Sequence, residues 1–314
     1  MTVLIDLEPE RAHALRKHLL TGMATHPIHL TGESYDPARI HYLITWQPAP
    51  DTFSALAHLK VILSYGAGVD ALLQHSHLPD DVPIVRFVDP DLSTRMSDYI
   101  VAEVTRHHRL DSHYRQAQSK RDWTEVFPRR ADEISVGIMG LGALGRDAAE
   151  KLLALGFRLR GWSRGEKTIA NIECYAGPDG FEAFLSGTDI LVNLLPLTAE
   201  TAGCLNRTLF SRLRKGMLHG GPAIINAARG GHLNESDLIA ALGDGTLGAA
   251  SLDVFTAEPL PKSSPLWDTP NCYLTPHIAA VSSIAALARY FAEVIKTHEA
   301  GQPLPNLVDR DKGY

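Results

Sequence analysis

Residues 134–154 read ISVGIMGLGALGRDAAEKLLA: an apolar run of strand character passes through three glycines directly into an amphipathic helical pattern. Gly140, Leu141, Gly142, Ala143, Leu144 and Gly145 form a G-x-G-x-x-G turn. The first glycine permits the tight turn, the second lets the backbone approach a bound pyrophosphate, and the third lets the helix pack on the strand. The positive N-terminal end of the helix then faces the anion. Strand, turn and helix in this order predict a doubly wound α/β unit that binds a dinucleotide.

The next apolar run, FRLRGWS (157–163), ends where an NAD site places an acid that binds the adenosine ribose and repels a 2′-phosphate. Here that place holds Ser163 and Arg164, with Lys167 just beyond. A guanidinium fork, a hydroxyl and an ammonium match a phosphate monoester. The expected cofactor is therefore NADP(H), with NAD(H) as the alternative, since Glu166 softens the positive field.

Outward from this turn the chain repeats one architecture. Before it, VLID (3–6), HYLITW (41–46), VILSY (61–65) and PIVRF (83–87) alternate with amphipathic stretches; after it come DILVNLLP (189–196), AIINAA (223–228), AASLDVF (249–255) and CYLTPH (272–277). Uniformly apolar strands separated by helical patterns predict parallel sheets covered on both faces. DYIVAEVTRHHRLDSHYRQAQ, from residue 98, has no Gly or Pro and predicts one long helix that connects domains or forms a dimer arm. IAALARYFAEVIKTHEAG predicts a closing helix with Gly301 past its end.

The bulk properties exclude several classes of function. A chain of 314 residues is long enough for two domains. Net charge −6 with only short basic patches, Arg106 to Arg109 and Arg129-Arg130, argues against a nucleic-acid partner. No apolar stretch is long enough for a spanning helix and MTVLIDLEPE does not begin like a signal peptide, so no membrane association and a cytoplasmic location are expected. Cys174, Cys204 and Cys272 share no CxxC spacing, and pairs such as His75/His77 lack further ligands, so neither a disulfide framework nor a metal site is expected.

Three short stretches lie at or just beyond predicted strand ends, where open α/β sheets bind ligands: NAARG with Arg229, DVFTAEPL with Glu258, and TPHIAA with His277. Singly, each has a structural reading as a surface ion pair, a turn cap or a loop histidine. Together they supply what reduction of a 2-oxo acid needs. His277 can donate a proton to the carbonyl oxygen, Glu258 can hold its tautomer and favour its charged form, and Arg229 can bind the carboxylate and stabilise the developing alkoxide.

With the glycine-rich LSYGAGVD (63–70), these motifs in this order resemble the D-isomer-specific 2-hydroxyacid dehydrogenase family over nearly the whole chain. WSR at the second strand, Trp46, MSDYIVAEV and the ending VDRDKGY are similar to the branch acting on glyoxylate and hydroxypyruvate. The resemblance implies two Rossmann-like domains, a flavodoxin-like substrate domain (1–97 plus 287–314) into which a doubly wound dinucleotide-binding domain (98–286) is inserted. It implies NADPH-dependent reduction of small 2-oxo acids to glycolate or D-glycerate by a homodimer, with the substrate in the cleft between domains. The backbone N–H groups of Gly66, Ala67 and Gly68 would cradle the carboxylate, while Trp46 and Tyr65 narrow the pocket. Leu195, Pro196, Thr201, the Ala227 backbone and Asp253 would contact the cofactor. Two alternatives stay open: an NAD-dependent relative acting on another substrate such as phosphoglycerate, and a dinucleotide-sensing corepressor-like scaffold.

Overall fold

The computed structural model describes residues 1–66, 68–88 and 90–310. The chain divides into two compact units, Met1–Pro90 with Ser282–Tyr314, and Asp91–Val281.

The smaller unit carries β1 (Thr2–Asp6), β2 (Ile28–Leu30), β3 (Ile40–Thr45), β4 (Val61–Ser64) and β5 (Ile84–Arg86), with α1 (Pro9–Gly22), the short α2 (Asp70–Leu73) and, from the chain's end, α9 (Ile284–Glu299). Its sheet is all parallel in the order β2-β1-β3-β4-β5, the flavodoxin-like arrangement. Alternate strand residues explain the two layers. Val3, Ile5, Ile44 and Leu63 bury against α1 and α9, while Leu4, Leu43 and Ile62 bury against Phe53, Leu56 and Leu72. Such two-sided burial is why these strands read as unbroken apolar runs. β2 escapes the sequence reading because its three residues, IHL, make too short a run. Gly301, at φ +70°, ends α9 in the left-handed conformation that glycine allows.

The larger unit carries α3 (Pro90–His108), α4 (Asp111–Lys120), β6 (Ser135–Met139), α5 (Ala143–Ala154), β7 (Arg158–Ser163), β8 (Ile172–Ala176), α6 (Gly177–Ser186), β9 (Ile190–Asn193), α7 (Arg207–Arg212), β10 (Ala223–Asn226), α8 (Glu235–Gly243), β11 (Ala249–Leu252) and β12 (Cys272–Leu274). All seven strands are parallel, in the order β12-β11-β10-β9-β6-β7-β8. The strand order reverses between β6 and β9. In a doubly wound sheet the crevice beyond that switch point is the ligand site. Ile138, Val192 and Ile225 bury beneath α3 and α5, and Leu191, Ile224 and Leu252 beneath α6, α7 and α8. Met96 lies in the first of these clusters.

The long helix expected from residue 98 is in fact two. Leu110 sits between α3 and α4 with φ +62°, a left-handed conformation no helix interior contains, and it is buried at 4% exposure. Burial of a leucine side chain, worth about 2 kcal/mol, offsets the left-handed backbone, so the break needs neither glycine nor proline. The turn HGGP (219–222) has a simpler cause: a Cβ on Gly248 would lie 2.8 Å from the Gly220 carbonyl carbon, so two backbones meet there.

Candidate active site

The glycine turn follows β6, and each glycine has a separate reason. Gly140 has φ +101°, and a Cβ there would lie 2.6 Å from the Leu194 carbonyl oxygen. A Cβ on Gly145 would lie 2.0 Å from the Gly140 carbonyl oxygen, so helix and strand could not close together. Gly142 has nothing within 4 Å of where its Cβ would be. Its bareness serves no protein contact, which leaves the space above it for a ligand's phosphates. Gly142 is also the N-cap of α5 with no side-chain cap, and the first turn of that helix carries no acid. Uncapped N–H groups at a helix start, free of local negative charge, suit a pyrophosphate.

Around this turn gather the residues expected to read the adenosine end. Ser163 ends β7, and its Oγ donates to the Gly165 carbonyl at 2.9 Å, keeping its lone pairs for a further donor. Lys167 folds back so that Nζ donates to the Leu141 carbonyl at 2.7 Å. Arg164 is exposed. Glu200 lies below the ordinary carboxylate pKa, first because Thr198 Oγ1 donates to it at 2.7 Å, with the charge of Arg164 contributing. One cation escaped the sequence reading: Arg146 Nε donates to the same Leu141 carbonyl at 3.2 Å. Its signal was its place in the first turn after the third glycine.

Beyond β9, Leu195 N donates to Asn193 Oδ1 at 3.3 Å, and Thr201 Oγ1 donates to the Pro196 carbonyl at 2.8 Å, so Leu195, Pro196 and Thr201 sit in one braced loop. Asn193 Nδ2 donates to Asn226 Oδ1 at 3.0 Å, joining β9 to β10 at the ligand edge. His232, fully buried, brings its Nδ1 within 3.1 Å of the Arg229 carbonyl and its Nε2 within 3.2 Å of the Pro196 carbonyl. It ties the Arg229 loop to the braced loop, a long-range role that no local pattern announces.

The three catalytic candidates follow β10, β11 and β12, whose last residues Asn226, Leu252 and Leu274 are in register. Neighbouring strands are about 4.8 Å apart, so the three loops emerge within about 10 Å. Arg229 is partly buried in the loop after Ala227, and Nη1 donates to the Ala228 carbonyl at 2.8 Å. A Cβ on the next residue, Gly230, would lie 1.9 Å from the Phe255 carbonyl carbon. Glycine there lets the Arg229 loop press against the loop that leads to Glu258. Phe255 N donates to Glu258 Oε1 at 2.9 Å, and His277 Nδ1 is 2.7 Å from Glu258 Oε2. A carboxylate only accepts, so Nδ1 carries a proton, and Nε2 is left as the ring nitrogen that can gain or release another.

His277 has φ +55°, uncommon for a non-glycine residue, and its N–H donates to the Asp253 carbonyl at 2.8 Å. The Asp253 side chain holds the same turn: Oδ1 accepts from Thr275 Oγ1 at 2.6 Å and from Ile278 N at 2.9 Å, and Oδ2 accepts from Ala279 N at 2.9 Å. Burial raises its pKa above the ordinary carboxylate value, and these donors oppose the rise. Asp253 therefore shapes the histidine turn, whatever it offers a cofactor.

In the smaller unit, Trp46 follows β3, and Tyr65, Gly66 and Gly68 follow β4. A Cβ on Gly66 would lie 2.7 Å from Trp46 Nε1, so indole and loop backbone are in direct contact. The Arg11 guanidinium carbon is 5.9 Å from the Trp46 ring centroid. Burial raises the Tyr65 pKa and the Arg11 charge opposes it. Ala67 and residues 311–314 of the VDRDKGY ending lie outside the described residues.

A cavity of about 370 Å³ in the larger unit is lined by residues of 126–129 and 216–220, which precede β6 and β10. It therefore opens at the N-terminal edge of the sheet, opposite the residues above. Among the described residues, no cluster of His, Cys, Asp and Glu could hold a metal ion, and no helix is long and apolar enough to cross a membrane.

Comparison with known proteins finds relatives over nearly the whole chain. Residues 99–279 match the family model of the D-isomer specific 2-hydroxyacid dehydrogenase NAD binding domain. The glyoxylate/hydroxypyruvate reductase A of Yersinia enterocolitica is 41% identical over 278 residues, 87% of each chain. The NADPH-dependent glyoxylate/hydroxypyruvate reductase of Sinorhizobium meliloti, solved with NADP and sulfate, superposes with TM-score 0.93 at 42% identity, covering 100% of this chain and 99% of that one. A probable 2-hydroxyacid dehydrogenase of Rhizobium etli, solved with NADP, HEPES and L(+)-tartaric acid, gives TM-score 0.91 at 42% identity over 100% and 99%.

Proposed function

This chain belongs to the D-isomer specific 2-hydroxyacid dehydrogenase family, and we propose that it is an NADPH-dependent reductase of glyoxylate and hydroxypyruvate, yielding glycolate and D-glycerate. The observation that carries the reading is the His277–Glu258 pair, at 2.7 Å, on the same sheet edge as a glycine turn with open space above Gly142. The similar reductases named above support the substrate class, and the missing acid after β7 supports NADPH over NADH.

NADPH, when bound, supplies the hydride. The uncapped N-terminus of α5 and the turn 140–145 bind its pyrophosphate, and Ser163, Arg164 and Lys167, with Arg146, its 2′-phosphate. Leu195, Pro196, Thr201 and the Ala227 backbone line the remainder of its site. Arg229 binds the substrate's carboxylate and draws electron density toward the carbonyl oxygen. His277 gives its Nε2 proton to that oxygen as negative charge develops there, while Glu258 accepts the hydrogen bond from Nδ1–H and steadies the imidazolium before transfer. In the smaller unit, the proposal assigns the Gly66 and Gly68 N–H groups to the carboxylate, and Trp46 and Tyr65 to rejecting larger side groups.

The reading also includes a cytoplasmic homodimer. Trp123 and Phe127, 92% and 84% exposed, lie just after α4 and would be covered by a second copy. NADPH and NADH oxidation by the purified protein, with glyoxylate and with hydroxypyruvate, tests the function. Clear preference for NADPH is the expected result; preference for NADH, or no turnover with either acid, overturns it.

A further inference from the structure

α3 packs across the larger sheet, and toward β11 and β12 it does so through polar groups as well as apolar ones. Tyr99, Glu103 and His107 follow one another at four-residue intervals, which places them in a row along one face of the helix. The face between Ile100 and Val104 is ordinary apolar packing; the polar row beside it makes directed bonds to the strands below.

Tyr99 Oη is 3.0 Å from Thr275 Oγ1. The single hydroxyl proton of Thr275 goes to Asp253, whose carboxylate also receives the Ile278 and Ala279 N–H groups. Tyr99 must then be the donor to Thr275. A directional chain runs from Tyr99 through Thr275 to Asp253, and the last of these grips residues on both sides of His277. Burial pushes the Tyr99 hydroxyl well above its ordinary pKa, so it remains a donor at any working pH.

Farther along the row, Ser251 Oγ donates to Glu103 Oε2 at 2.6 Å, so His107 Nε2, 2.9 Å from that oxygen, must donate to Ser251. Ser251 precedes Asp253 by two residues and faces Tyr273 in register. Arg106 Nε lies 3.0 Å from Glu103, which is 5% exposed. Buried polar groups of this kind add little stability over apolar ones of equal volume, but they specify one register. The row's directed bonds to Ser251 and Thr275 tie α3 to one position against β11 and the turn after β12.

We propose that Tyr99 is a positioning residue for proton transfer: through Thr275 and Asp253 it fixes the left-handed turn that points His277 at the substrate. This rests on the assignment of His277 as proton donor. The effect of changing Tyr99 or Thr275 should appear in turnover more than in binding, because neither lies on the glycine turn, in the Arg229 loop or among the residues assigned to the cofactor.

The test uses the full-length protein and the variants Tyr99→Phe, Thr275→Val and Thr275→Ser, with NADPH and glyoxylate. Tyr99→Phe removes one hydrogen bond and is expected to lower kcat about fivefold with both KM values within about twofold of wild type. Thr275→Val strands two buried partners and is expected to lower kcat about 10- to 100-fold, whereas Thr275→Ser, which keeps the hydroxyl, should restore most of it. The Tyr99→Phe and Thr275→Val effects should not multiply in the double variant, since both break one chain. A wild-type kcat for Tyr99→Phe, or multiplying effects, would overturn the proposal. Hydrogen exchange at the Ile278 and Ala279 amides, which needs no turnover, separates this failure from failure of the functional reading. Exchange about fivefold faster in Tyr99→Phe is expected, and unchanged exchange refutes the positioning role even if wild type reduces no 2-oxo acid.

Discussion

The two halves of the larger sheet carry their ligand-facing groups in different ways. Beside β6 and β7 the working surface is backbone: Gly140, Gly142 and Gly145 remove side chains, and an uncapped helix start presents N–H groups. Cations gather around it with Lys167 and Arg146 both on the Leu141 carbonyl. Beside β10, β11 and β12 the working surface is side chains, Arg229, Glu258 and His277, the last held by Glu258 and Asp253 from other strand ends. The first half binds by what it lacks. The second acts by what it holds in position, so equal-sized substitutions on the two sides should fail differently.

The sharpest way to break this contrast is Arg229→Gln. kcat/KM for glyoxylate is expected to fall on the order of 10²- to 10³-fold while NADPH affinity, read from nucleotide fluorescence, stays within about twofold. An equal loss in cofactor affinity would erase the division between the halves. A smaller effect is expected on the other side. Replacing Arg164 and Lys167 together by Gln should raise KM for NADPH about 10- to 100-fold and leave KM for NADH and glyoxylate nearly unchanged, since only the 2′-phosphate loses its charge-assisted bonds. Equal weakening of NADPH and NADH would mean that these cations serve the turn alone.

The smallest effect concerns the α3 row, which underlies only the catalytic half. Burial pushes the His107 pKa from 6.5 down to about 3. Between those values the unfolded chain takes up a proton that the folded chain refuses, so this group costs stability as the pH falls through that window and costs none above it. His107→Gln keeps a donor for Ser251 and removes the titration. Urea unfolding at neutral pH and near pH 4.5 should show a shallower acid loss than wild type, by at most about 1.4 kcal/mol per pH unit across the window. Parallel pH slopes would contradict the assignment.

The same contrast explains what the sequence could tell. The glycine turn was legible because its constraint is local: strand, three glycines and helix are contiguous, and each glycine answers a backbone clash or an opening within the motif. Most strands were legible because both faces are buried, while β2 and β8 were missed, IHL being short and IECYA only partly buried. Arg229, Glu258 and His277 could be named as types near strand ends, but the bonds from Asp253 and Glu258 that orient His277, and the close approach of Gly230 to Phe255, depend on register between strands. Tyr99, Thr275 and His232 gave no sign, since a helix tyrosine, a threonine before proline and a loop histidine look the same whether or not something waits across the sheet. The break at Leu110 was hidden for a related reason: the chain pays for a left-handed leucine with tertiary burial, which no helical pattern records.

The central claim is that the imidazole at His277, held by Glu258, gives the proton that completes reduction. Single-turnover reduction of glyoxylate by the NADPH-bound protein, wild type against His277→Ala, tests it most directly. The variant is expected to bind NADPH as wild type does and to be slower by about 10²- to 10⁴-fold, the range of a lost general acid. NADPH oxidation at the wild-type rate by the variant would remove His277 from the chemistry and take the proposed mechanism with it.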